Sequence, residues 1–194
     1  MNYLQELWAA LDFGSLRDIL LRLASVFLCL TTHETCHGLA AYALGDPTAK
    51  RMHRLSLNPL RHIDWMGLLM MVTLGFGWAK PVPVDPRYFR KPKQGMALTA
   101  LAGPVSNFLL ALVLLVGARI MVDHAAYSAL NQGILDFLVS TAVLSIGLGL
   151  FNLVPIPPLD GAKVLFSLLP DRMYDTMLRY ERIGMFGPVS YTHL

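Results

Sequence analysis

Charge is scarce in this sequence. Only 15% of its 194 residues are Asp, Glu, Lys or Arg, against 55% that are hydrophobic, and the mean hydropathy is +0.50. Soluble domains carry about 25% charged residues, so the shortage excludes an ordinary soluble domain and points to a polytopic membrane protein. The net charge is only +3, and the basic residues sit in short loops instead of a stripe interleaved with aromatics, which excludes a nucleic-acid partner. Cysteine is scarce as well. Cys29 and Cys36 lie seven residues apart in one apolar run, too far along a helix for a disulfide, so they report nothing of the redox compartment. No cleavable leader is expected, because the first apolar run begins late and continues past any small-residue cleavage site.

What the chain does have is long hydrophobic runs. Crossing about 30 Å of hydrocarbon takes roughly 20 apolar residues, and windows 19–44, 96–122 and 134–150 supply them, with a shorter glycine-rich run at 65–79. The fold class expected is an all-α polytopic membrane protein, a bundle of transmembrane helices with a short re-entrant strand or loop segment. Lys50, Arg51, Arg54 and Arg61 follow the first window, and Arg87, Arg90, Lys91 and Lys93 follow the glycine-rich run. Both loops are therefore expected on the cytoplasmic side, and the stretch between them must return to the side it left. Gly75, Gly77, Pro81 and Pro83 suit such a turning backbone, which at membrane depth survives only beside protein or a wet cavity. The connection near 123–133 has no Lys or Arg and is expected outside, while Arg172, Arg179 and Arg182 fit the cytoplasm. The N-terminal residues are expected external or interfacial with Trp8 at the boundary, a placement that Arg17 and Arg22 weaken.

Inside the first window stands "HETCH". Residues four apart share a helix face, so His33 and His37 can offer two imidazole nitrogens to one ion. Glu34 lies about 100° around the axis, placed to reach a water beside that ion without ligating it. This is the H-E-x-x-H arrangement of zinc peptidases, in which zinc acidifies a water and the glutamate takes its proton. The bland reading is a set of polar residues satisfying one another in a bundle. Membrane depth weighs against it, since two imidazoles and a carboxylate in hydrocarbon cost a few kcal/mol unless they line a functional site.

Catalytic zinc takes three protein ligands as a rule. Asp46, His53, His62, Asp64 and Asp160 are candidates for the third. The first four fall in or beside the basic loop, where solvated loop roles are expected. Asp160, in "FNLVPIPPLDG", follows an inward-running helix stopped by Pro155, Pro157 and Pro158; ligand and ordinary turn or N-cap readings are evenly matched there. Asn107 and Asn152 lie at a similar depth.

With "HETCH", "LGDPTAKRMHRLSLNPLRHIDWMG", "GWAKPVPV", "GPVSN" and "NLVPIPPLDG" in order, residues 20–169 resemble the site-2 protease family of intramembrane zinc metalloproteases, in its short form without a PDZ or cystathionine-synthase-type domain. The resemblance implies one Zn2+ per chain held by His33, His37 and Asp160, with Glu34 as general base. It implies that the "GWAKPVPV" segment, with Gly77, Pro81, Val82 and Pro83, pairs with an unwound substrate as an added strand. Gly103, Pro104 and Asn107 match the family's G-P-x-x-N motif, with Asn107 and Asn152 expected on substrate backbone or the oxyanion; the plainer role for Gly103 and Pro104 is close helix packing. Cys36 departs from the usual small residue between the histidines and is expected to pack away from them. One metalloprotease domain is expected over 1–183, and 184–194 read as an atypical tail, truncated or non-native, in which His193 has no functional weight.

The function expected is zinc-dependent intramembrane endopeptidase action on transmembrane or membrane-associated peptides, in a multi-pass protein of a prokaryotic cell membrane with its active site towards the cytoplasm. The partners expected are that peptide substrate and the lipid bilayer; homo-oligomers are compatible with the sequence. The competing classes are a transporter or channel using the same groups as a metal or proton site, and a non-catalytic scaffold, against which the intact Glu34 argues.

Overall fold

The computed structural model describes residues 16–62, 64–67, 70, 80–124, 128–170 and 174. The chain passes through α1 (Leu16–Ala43), the short α2 (Thr48–Arg51), 3-10 turns at Pro59–Arg61 and Pro86–Tyr88, α3 (Pro92–His124), α4 (Ala129–Asn152) and α5 (Asp160–Ser167). No strand occurs among the described residues. Helices α1, α3 and α4 are each long and apolar enough to cross a membrane. They begin three, four and five residues ahead of the hydropathy windows, at 16, 92 and 129, because first turns and caps are polar. Ser128 shows this, its hydroxyl accepting the Asn131 N–H at 3.2 Å.

The bundle is built small side inward. Helix α3 packs against α1, α4 and α5, and its buried residues are Gly95, Ala97, Thr99, Ala100, Gly103, Pro104, Ser106, Asn107, Ala111 and Ala118. Its large residues, among them Leu109, Leu112, Val113 and Ile120, face outward. Lipid is as apolar as leucine, so nothing drives leucines inward; close backbone approach and hydrogen bonding hold the helices together instead. The Ser25 and Thr141 hydroxyls meet at 2.7 Å between α1 and α4, and the Ser145 hydroxyl donates to the Asn107 carbonyl at 2.9 Å between α4 and α3.

Helix α1 ends at a glycine in the left-handed region, Gly45 with φ 105°. The Gly45 N–H donates to the Tyr42 carbonyl at 3.1 Å and the Asp46 N–H to that of Ala41 at 2.9 Å, which caps the helix and turns Asp46 inward. Further on, the Lys80 N–H donates to the His62 carbonyl at 2.8 Å, so the chain comes back at residue 80 to where it left at 62. Most of the glycine-rich run, including Gly75 and Gly77, lies outside the described residues, as do Trp8, the loop arginines after α5 and the tail. Residues 80–85 run without helix or strand as a strap alongside α1.

Candidate metal centre

Helical spacing stacks His33 and His37 one turn apart on the inner face of α1, their Nε2 atoms 2.9 Å apart and their rings perpendicular with centroids 4.5 Å apart. The third corner comes from the far side of the sequence. Oδ2 of Asp160, in the first turn of α5, lies 3.0 Å from both nitrogens. All three residues are buried, and they are the group of metal-type donors that converges among the described residues.

Two glycines make this convergence sterically available. A Cβ on Gly103 would stand 2.7 Å from Cε1 of His33 and closer still to Nε2 and Cε1 of His37. A Cβ on Gly161 would press into the backbone of Leu153 and lie 2.7 Å from the Val154 carbonyl oxygen. Gly161 therefore lets α5 start tight against the turn that ends α4, and that turn aims Asp160 at the histidines.

The donor chemistry fits zinc. A carbonyl only accepts, and the Thr99 carbonyl lies 2.7 Å from Nδ1 of His37, so Nδ1 carries the ring proton and the Nε2 lone pair points to the centre. Oδ2 of Asp160 is the third donor atom of the set, and Nζ of Lys163 stands 3.5 Å from the other carboxylate oxygen, Oδ1. Tetrahedral zinc with bonds of about 2.0–2.2 Å sets its donors roughly 3.3–3.5 Å apart. The observed triangle of 2.9, 3.0 and 3.0 Å reaches that by shifts of a few tenths of an ångström.

The other residues picked out in the sequence fall into place around this triangle or away from it. Glu34, half-buried beside the pair, accepts the Val82 N–H at Oε2 over 2.9 Å. Val82 is buried, Pro83 is partly so and Pro81 is exposed. Asn107 is 0% exposed, with Nδ2 placed 3.2 Å from Nδ1 of His33. Asn152 donates back to the Leu148 carbonyl of its own helix at 3.0 Å. Cys29 and Cys36 are both free thiols.

Two expectations are corrected. Asp46 and His62 are not solvated loop residues. Asp46 is 0% exposed, because its carboxylate accepts the Thr48 N–H at 2.9 Å and the Asp85 N–H at 2.7 Å, tying α2 and the strap to the end of α1. His62 is buried with Nε2 2.8 Å from the Ser56 carbonyl. His53 is exposed, and Asp64 accepts the N–H groups of Met66 and Gly67 at 3.0 Å each. None of the four joins the converging group. The Thr99 carbonyl was not anticipated, although Gly95, Thr99, Gly103, Asn107 and Ala111 repeat every four residues and so mark the inner stripe of α3.

Comparison with known proteins agrees with this geometry. Residues 116–189 match Peptidase family M50. YwhC of Bacillus subtilis, which bears a zinc-metalloprotease name, is 39% identical over 165 residues, covering 82% of this chain and 74% of YwhC. Rip2 of Mycolicibacterium smegmatis and Rip2 of Mycobacterium tuberculosis, named likewise, are 32% and 34% identical over 75% and 72% of the chain. The matched region spans about half of each Rip2, 56% and 53%. No solved structure matches. A bundle of membrane-length helices enclosing an H-E-x-x-H pair and a distant aspartate, with relatives of this kind, places the chain in Peptidase family M50, the site-2 protease family of zinc metalloproteases.

Proposed function

We propose that this chain hydrolyses peptide bonds of transmembrane or membrane-associated substrates inside the bilayer, with His33, His37 and Asp160 as its zinc ligands and Glu34 as general base. The observation that carries the reading is Oδ2 of Asp160 standing 3.0 Å from both imidazole nitrogens of the H-E-x-x-H pair, 123 residues away in sequence from His37. Zinc, when bound, supplies Lewis acidity to a substrate carbonyl and brings the pKa of a water towards about 7. The Glu34 carboxylate accepts the proton of the attacking water and passes it to the departing amine. Its hydrogen bond from Val82 holds it on the strap side of the cluster. The strap offers an extended edge for a locally unwound substrate, with Pro81 and Pro83 unable to donate, Val84 able to, and Val82 able to once its N–H leaves Glu34.

Depth and charge support an active site towards the cytoplasm. His37 lies six residues before the end of α1 and Thr99 seven after the start of α3, both about 10 Å from the same membrane boundary. The loops at that end carry Lys50, Arg51, Arg54, Arg61, Arg87, Arg90, Lys91 and Lys93, while 125–128 at the other end has no Lys or Arg.

The test uses the full chain in detergent or proteoliposomes. Wild type is expected to bind one zinc and cleave a transmembrane peptide; Glu34→Gln keeps the zinc and loses cleavage by at least about 100-fold, and His33→Ala with His37→Ala loses both. Metal or proton flux without proteolysis would replace this reading with transport, and absence of stoichiometric zinc in wild type would remove it.

A further inference from the structure

Asn107 holds a position that substrate recognition does not explain. It is 0% exposed, it sits on α3 at the back of the His33 ring, and its Oδ1 is buried without a hydrogen-bond partner. A buried acceptor left unmade costs about 1–3 kcal/mol, so the group calls for an explanation.

The two histidines supply it. His37 has its Nδ1 proton fixed by the Thr99 carbonyl, which leaves Nε2 free to ligate. His33 needs the same tautomer if its Nε2 is to ligate, and its Nδ1 then carries a proton that must find an acceptor. With Nδ2 of Asn107 turned towards Nδ1, that nitrogen is forced to accept and the proton moves to Nε2, the atom that faces Asp160 and His37. Exchanging the amide oxygen and nitrogen by a half-turn, a choice set by hydrogen bonding and not by shape, puts Oδ1 against Nδ1–H and Nδ2 where Oδ1 stood, so what decides for the exchange is the zinc-binding tautomer of His33 and not the number of satisfied amide atoms. We infer that Asn107 is a positioning residue for the metal centre: its amide oxygen accepts the Nδ1–H of His33 and fixes the zinc-binding tautomer, in parallel with the Thr99 carbonyl on His37. Helix α3 thereby orients both imidazoles, through two residues eight apart on its inner stripe.

This rests on the zinc reading above, and the experiment separates the two. Zinc affinity is measured by chelator competition on the full-length chain in detergent for wild type, Asn107→Asp and Asn107→Leu, with helix content checked by circular dichroism. Asn107→Leu removes the acceptor and is expected to weaken zinc binding 10–100-fold, the usual effect of losing a partner behind a ligating histidine. Asn107→Asp, which can only accept when ionised, is expected to restore affinity to within a few-fold of wild type. A substrate or oxyanion role would leave zinc affinity unchanged in both variants and change cleavage alone, which overturns the inference. Aspartate binding zinc as poorly as leucine, with helix content intact, overturns it too, and if the leucine variant fails to fold, Asn107→Ala removes the same acceptor and is read in its place. A wild type that binds no zinc would instead sink the functional reading.

Discussion

The backbone N–H of Val82 is spent on the side chain of Glu34, 48 residues earlier, at 2.9 Å. A substrate strand paired along the strap would compete for that same donor, because Pro81 and Pro83 on either side have none. If Glu34 is the base, as proposed, the contact would couple the strap to it: the strap steadies the carboxylate, and pairing with substrate would release it.

The first prediction removes the donor and keeps the side-chain bulk. Val82→Pro should retain stoichiometric zinc while cleavage of a transmembrane peptide falls about 10- to 100-fold, the effect of losing a hydrogen bond to a charged group worth about 1.5–3 kcal/mol. Val82→Ala, which keeps the N–H, should cleave within a few-fold of wild type. Metal analysis and peptide cleavage on the same preparations check both. Equal losses in the two variants would mean that packing of Val82 over Gly38 matters and the N–H does not.

Asp46 anchors the other end of the strap, with one oxygen on Thr48 N–H and the other on Asp85 N–H. Asp46→Ala should leave zinc in place, since Asp46 is no part of the converging group, and should free the strap. Hydrogen exchange at the Asp85 amide is expected to speed by roughly 10- to 100-fold, following the loss of about 1.5–3 kcal/mol of charge-assisted bonding. Unaltered exchange there would show that the strap is held by other contacts.

The sequence shows the elements that depend on local pattern and hides those that depend on distant backbone. Hydropathy located α1, α3 and α4 to within a turn or so, because apolar length is what a bilayer selects. His33 and His37 were legible from helical spacing. Asp160 was not separable from a turn residue by spacing alone; it took the family resemblance to favour the ligand reading, and the tight start allowed by Gly161 is a feature of backbone contact that composition does not encode. Asp46 and His62 were misplaced for a related reason: a loop rich in Lys and Arg reads as solvated, yet its backbone N–H and carbonyl groups bury these two side chains as internal partners. The Thr99 carbonyl has no side-chain signature at all, and only the four-residue repeat along α3 could have pointed to its face.

That repeat carries the last prediction, which sets two glycines of one helix against each other. In a helix interior Gly→Ala ordinarily stabilises by roughly 0.5–1 kcal/mol. Gly117 of α3 has nothing within 4 Å of where its Cβ would be, so Gly117→Ala should bind zinc normally and melt at the same temperature or slightly above. Gly103 has the two imidazoles inside contact distance. A methyl there must push α3 off α1 or tilt both rings away from Asp160, and either movement spreads the donors beyond what one ion can hold. Gly103→Ala should therefore lose zinc by 10-fold or more in affinity, on the order of the effect of disturbing a ligand's support, despite its better helix propensity. Metal analysis and thermal melts of the two variants side by side check the contrast, and normal zinc binding by Gly103→Ala would show that the packing of α3 against the histidines is looser than the 2.7 Å approach to His33 implies.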